Sequence, residues 1–202
     1  MKNLVILILF AVQVSAGLSQ YSSDSPFAIS VSYYGDLGIH PGVRFSGYYG
    51  FKSFEKSKNR VFKKAQNKKG NNIKNKTYFG LASAGVYSHA NNHTGWNVNI
   101  GAGYERIRAR NGNLFGYSLT VGYLFRDYKF DTYELVVGDI ETIGVAGSGG
   151  IVFSLAPHFG RDLSVKTSIP LKIQLKPIIQ LMKYNHSMAP NAALELEFVY
   201  NL

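Results

Sequence analysis

The charges with the most regular spacing stand in the last third of the chain. In "LKIQLKP" Lys172, Gln174 and Lys176 are two apart, and in "NAALELEFVYNL" so are Glu195 and Glu197. Side chains of a strand alternate between faces, so each set shares one side of an extended segment. If the segments pair as an antiparallel hairpin, like faces meet only when paired positions sum to an odd number. Lys176 then falls opposite Glu195 or Glu197, depending on the turn through Ala189 and Pro190. Glu105 and Arg126 occupy the polar faces of two earlier segments. The predicted interior charge network is therefore Glu105, Arg126, Lys172, Lys176, Glu195 and Glu197. Pro177 has no N–H to donate, so a bulge or a missing ladder bond is expected there.

The remaining reactive types give less. Five histidines, His40, His89, His93, His158 and His186, invite a metal reading. His89 and His93 are four apart in "SHANNHTG", a spacing that aligns ligands on a helix, and this stretch reads as a loop. Neither a metal nor a cofactor is predicted. "NHS" at Asn185 to Ser187, with Glu195 on the next strand, resembles the His, Ser and Glu of the outer-membrane lipid A deacylases. Those enzymes place His and Ser two apart on one strand face, whereas His186 and Ser187 are adjacent and point to opposite faces. No catalytic residue is assigned. "GVAGSGG" at 144–150 has no helix behind it and reads as a loop rather than a phosphate cradle.

Positioning these charges requires strands. "NGNLFGYSLTVGYLFR", from Asn111, puts Phe115, Tyr117, Leu119, Val121, Tyr123 and Phe125 on one face and Gly116, Ser118, Thr120, Gly122, Leu124 and Arg126 on the other. Seven further segments read the same way, at about 26–34, 43–54, 77–88, 95–107, 150–159, 169–183 and 191–201. Arg110-Asn111-Gly112-Asn113 is the clearest turn, because Asn-Gly suits the positive φ of both central positions of a tight hairpin. It predicts pairs summing to 223: Glu105 with Ser118, Gly103 with Thr120, Asn97 with Arg126, Tyr104 with Leu119 and Val98 with Phe125.

The polar faces are mostly Gly, Ser, Asn and Ala, which suit a narrow interior; eight strands leave a bore only just wide enough to be filled by side chains. The apolar face from Trp96 to Tyr104 spans nine residues, about the length of a tilted membrane strand. Arg106 and Arg108 follow it, where long side chains reach from lipid to water. These features predict an all-β fold, a single eight-stranded antiparallel up-and-down transmembrane β-barrel. A barrel enzyme acting on envelope lipid and a soluble lipocalin-like barrel are the competing readings.

"MKNLVILILFAVQVSA" has one lysine, a short apolar run and small residues at its end, which predicts a signal peptide over 1–16 and one barrel domain over 17–202. The chain has no cysteine, so no disulfide framework supports it. Its net charge of +10 is local. The segment 56–76 carries Lys56, Lys58, Arg60, Lys63, Lys64, Lys68, Lys69, Lys74 and Lys76 with no acid, leaving 13 basic against 12 acidic residues elsewhere. An exported protein with its charge in one loop is not a nucleic-acid binder; the loop is read as a candidate site for lipopolysaccharide phosphates.

"HPGVRFSGYYGF", "NNHTGWNVNIGAGYE", "LFGYSLTVGYLFRDY" and "APNAALELEFVYNL" resemble, in this order, the small uncharacterised outer-membrane β-barrel proteins of Bacteroidota type. The resemblance implies a location in the cell outer membrane, outer-membrane lipid as surroundings, and recognition of the C-terminal strand by the assembly machinery. Leu202 stands where such strands usually end in Phe.

Overall fold

The computed structural model describes residues 26–36, 40–57, 73–90, 92–129, 132–136, 139–144, 148–184 and 187–202. The predicted leader and the central part of the Lys-rich segment, 58–72, lie outside them. The strands are β1 (Phe27–Asp36), β2 (His40–Ser57), β3 (Ile73–His89), β4 (His93–Arg108), β5 (Asn113–Tyr128), β6 (Thr132–Val136), β7 (Asp139–Gly144), β8 (Ser148–Asp162), β9 (Leu171–Tyr184) and β10 (Ser187–Asn201). Eight of them close an antiparallel barrel in the order β1-β10-β9-β8-β5-β4-β3-β2, sealed by pairing of β1 with both β2 and β10. The predicted fold class holds. The hairpin of β6 and β7, inserted between neighbouring barrel strands β5 and β8, was not expected.

Alternation decides which way each strand faces, and the faces are inverted relative to a water-soluble barrel. Phe45, Ile100 and Leu119 are 59%, 61% and 59% exposed on the outside, while Glu197 is 0% exposed within. Val98, Tyr117, Tyr123, Phe153 and Ile179 join the outer belt, and Ser30, Ser46, Ser83, Asn99, Ser118 and Ser154 line the bore. Backbone groups are all satisfied strand to strand when a sheet closes on itself, which is what a lipid environment demands. An apolar outside and a polar inside are the arrangement of a transmembrane β-barrel.

Two expectations about local structure need correction, and a third is resolved between its alternatives. The β4–β5 hairpin pairs positions summing to 221, with Glu105 opposite Gly116, Gly103 opposite Ser118, Asn97 opposite Leu124 and Tyr104 opposite Tyr117. The turn is longer than two residues: the Arg108 carbonyl accepts from Asn111 N at 3.3 Å and Gly112 N at 2.8 Å, and Gly112 takes φ +70°. The slip is by one whole pair, so every side chain keeps its face.

The Lys-rich segment is not all loop. Lys56 on β2 lies across from Lys74 on β3, and Lys76 lies across from Arg106 on β4. The ladder persists this far with Phe54 and Tyr78 edge to face at 6.2 Å just before the charges.

At Pro177 the register with β10 is continuous, and the defect is on the β8 side. Pairing of β8 with β9 runs from Val152–Met182 to Leu155–Ile179 and resumes at Phe159–Leu175 with no shift. Pro157 faces Pro177 in the centre of that gap, and neither has an N–H to donate. Of the two outcomes expected, the missing bond is what occurs.

Candidate functional site in the bore

Two layers fill the bore. Toward the rim holding the β3–β4 turn, Tyr34, Tyr87, Leu124, Val152, Met182 and Ala193 form an apolar cluster with Ala156 and Ile178. Toward the rim holding the β4–β5 turn, the interior is charged. Glu197 Oε1 accepts from Ser30 Oγ and from Tyr48 OH, each at 2.5 Å. Its Oε2 accepts from Gln174 Nε2 at 2.5 Å and from the Lys176 ammonium group. Lys176 Nζ also donates to the Tyr48 hydroxyl at 2.8 Å.

Glu195 holds a second centre. Its Oε1 accepts from Ser32 Oγ at 2.6 Å, and its Oε2 from Arg44 Nη1 at 2.9 Å. Arg44 Nη2 reaches Asn97 Oδ1 at 3.3 Å, and the guanidinium lies 4.0 Å from the centre of the Tyr34 ring. A third pair spans the bore, with Lys172 on β9 donating to Glu105 on β4 at 2.6 Å. Three ion pairs therefore sit inside, Arg44 with Glu195, Lys172 with Glu105 and Lys176 with Glu197, while buried Asp162, opposite Lys172 on the ladder, accepts from Ser164 instead. Buried charges are tolerable only when paired and hydrogen-bonded in this way.

Of the six charges predicted for the bore, five belong to this layer. Arg126 does not: it lies ten residues beyond Gly116 on β5, opposite Gly95 and Ser148, and its guanidinium contacts Met182 Sδ at 3.3 Å in the other half of the barrel. The shared face was read correctly, but the face runs the length of the bore. Arg44 was missed. Its signal is the alternation Arg44, Ser46, Tyr48 in "GVRFSGYYGF", and its partner Glu195 is reached only across β1.

His158 is buried in the charged layer, its Nδ1 3.4 Å from the Ala156 carbonyl. The ring lies over Gly116, where a Cβ would strike His158 Nε2 and the Tyr104 carbonyl. His89 and His93, read from the sequence as loop residues, come together because a tight hairpin puts residues four apart directly across from one another. His40 joins them, with ring centroids 3.7 Å from His40 to His89 and 5.2 Å from His89 to His93, both stacked. Stacked rings do not converge their nitrogens, and among the described residues no cluster has metal-holding geometry. Asn185 and His186 lie outside the described residues, as do Lys58, Arg60, Lys63, Lys64, Lys68 and Lys69.

Between the two layers lies a cavity of ≈ 30 Å³, lined among others by Arg44, Asn99, Ser118, Ser154, Lys176 and Glu195. It has room for water and for little else. The polar side chains that line it do not suit an apolar ligand of the lipocalin kind.

No family model matches the sequence, and no curated protein does. Among solved structures, the outer membrane enzyme PagL aligns at TM-score 0.48 and 9% identity, over 87% of this chain and 99% of that one. The N-terminal β-barrel domain of Pseudomonas aeruginosa OprF aligns at 0.44 and 9%, over 86% and 97%. The β domain of the Bordetella autotransporter BrkA aligns at 0.30 and 7%, over 88% and 99%. At these identities no residue of the chain takes a role from a neighbour.

Proposed function

We propose that the chain is a non-enzymatic β-barrel protein of the bacterial outer membrane, with a structural or surface-interaction role and a bore closed by its own side chains. The observation that carries this reading is the inverted burial: aromatic and aliphatic side chains ring the outside while six paired charges sit within. Glu105, Glu195 and Glu197 each have a cation on them, which supports a framework role over acid-base chemistry. Closure is supported by the cavity of ≈ 30 Å³, too small for a solute path. The exterior row Leu194, Leu196 and Phe198 on β10 would be the surface offered to the assembly machinery before β1 pairs with it.

Membrane fractionation tests the proposal. The protein should remain with outer membranes through alkaline carbonate washing and migrate differently on gels before and after heating. A folded monomer recovered in buffer without detergent would overturn it, and ion conductance across planar bilayers would overturn the closed bore.

A further inference from the structure

The outside of the barrel carries a second concentration of charge. A bulge between Gly50 and Lys52 adds one residue to β2 and reverses its parity, so that Lys52 and Phe54 fall on the outer face, beside Tyr78 and Lys76. Lys76 on β3 lies across from Arg106 on β4 on that face, with Arg108 two residues further along β4. Cross-strand neighbours stand about 5 Å apart, and like charges so placed destabilise a sheet unless an anion lies between them. Among the residues of β2, β3 and β4 whose side chains are described, the one acid, Glu105, is in the bore.

Aromatic rings stand among the cations, Phe54 across from Lys76 and Phe115 across from Arg106. Lys52 lies 4.9 Å from the Phe54 ring, Lys76 6.0 Å from Tyr104, and Arg106 5.9 Å from Phe115. Beginning at Ile100 further along β4 and extending over β5, β8 and β9 is an exterior groove of ≈ 570 Å³, lined by Ile100, Leu119, Val121, Phe153, Leu155 and Ile179 among others. Ile100 is six residues from Arg106 on β4. At about 3.3 Å per residue and a strand tilt near 40°, that is about 15 Å of depth, half the hydrocarbon core.

We infer that the cationic exterior of β2 to β4 binds an anionic glycerophospholipid, its phosphate on Lys76, Arg106 and Arg108 and an acyl chain running down to the groove at Ile100 and Leu119. This inference rests on the membrane-spanning reading above. Charge complementarity selects the headgroup, and the one-leaflet distance from cations to groove selects a lipid over a soluble polyanion. A groove of this size fits the chains of one glycerophospholipid better than the broad acyl set of a lipid A.

Native mass spectrometry of the full chain in detergent, titrated with phosphatidylglycerol, phosphatidylcholine or lipid A, tests it. Phosphatidylglycerol should bind about tenfold more tightly than phosphatidylcholine, less so as salt is raised. The triple variant Lys76→Gln/Arg106→Gln/Arg108→Gln should lose that preference. Lys129→Gln/Lys166→Gln/Lys183→Gln, equal in charge removed, should keep it. Val121→Trp, which fills the groove, should weaken phosphatidylglycerol without altering heat-modifiable migration. Equal binding of the two phospholipids, an unaffected triple variant or a preference for lipid A would each overturn the inference. Normal heat-modifiability with no lipid preference defeats this inference alone, whereas its loss in the unaltered protein defeats the membrane reading itself.

Discussion

Lys176 stands directly across the β9–β10 ladder from Glu195, yet its ammonium group is bound by Glu197, one pair further along. The diagonal leaves Glu195 to Arg44, so the two glutamates of "LELEF" pair with different cations, Glu197 with Lys176 of β9 and Glu195, past β1, with Arg44 of β2.

This division predicts how the charges couple. Lys176→Met or Glu197→Gln alone should cost about 3–5 kcal/mol, because each strands a buried partner, and the double variant should cost much less than their sum. Lys176→Met with Glu195→Gln should be closer to additive, whereas Arg44→Met with Glu195→Gln should show strong coupling. Urea unfolding of the barrel in detergent measures all of these, and additivity in the Lys176–Glu197 cycle would count against a dry pair.

Gly116 is the second sensitive point. A side chain there meets the His158 ring and the Tyr104 carbonyl, one movable and one fixed. Gly116→Val should destabilise by about 1–3 kcal/mol, the range for overpacking. Adding His158→Ala should recover only part of the loss, since the backbone oxygen remains in the way. Full recovery in the same unfolding assay would show that the ring alone sets the limit.

The outer belt gives the third test. Leu119→Arg should reduce folding into phospholipid vesicles by about 2–4 kcal/mol, the cost of an arginine at mid-membrane. Arg108→Leu at the rim should change it by less than a quarter of that. If Leu119→Arg folds as well as the unaltered chain, the belt does not face lipid.

What the sequence made legible follows from what alternation can encode. A strand's two faces are written in its parity, so the polar interior, the outward-facing aromatics and five of the charged residues were readable. Parity does not change when a turn lengthens by two residues, and for that reason the 223 register was wrong by one pair while the faces were right. Contacts that depend on closure were out of reach. Lys172 and Glu105 come from β9 and β4, which share no ladder, and Arg44 meets Glu195 only because β1 lies between β2 and β10. The bulge at Phe51 follows Gly50 with no other mark in "YYGFKSF", yet it decides that Lys52 faces outward. The apolar layer of the bore was hidden because Leu124, Val152, Ile178 and Met182 share the parity of polar residues.

The facing prolines make the last prediction. Pro157 keeps its place opposite Tyr117 on β5, and Pro177 keeps its place opposite Leu194 on β10, so each is fully paired on its outer side. Between them the β8–β9 ladder lapses at three successive positions, which is what the loss of one reciprocal pair of N–H···O bonds produces in an antiparallel sheet. Replacing both by alanine restores the two donors without crowding, since both positions lie on the outer surface. Pro157→Ala/Pro177→Ala should therefore close the ladder, and the two new amides should exchange with deuterium as slowly as those of Leu155 and Ile179. The net gain in stability should be small, about 0–1 kcal/mol, because alanine also frees the unfolded chain. Fast exchange at both new amides would mean that the strands part here for a reason other than the missing donors, and that the gap is set by the packing of Ala156, His158, Lys176 and Ile178 behind it.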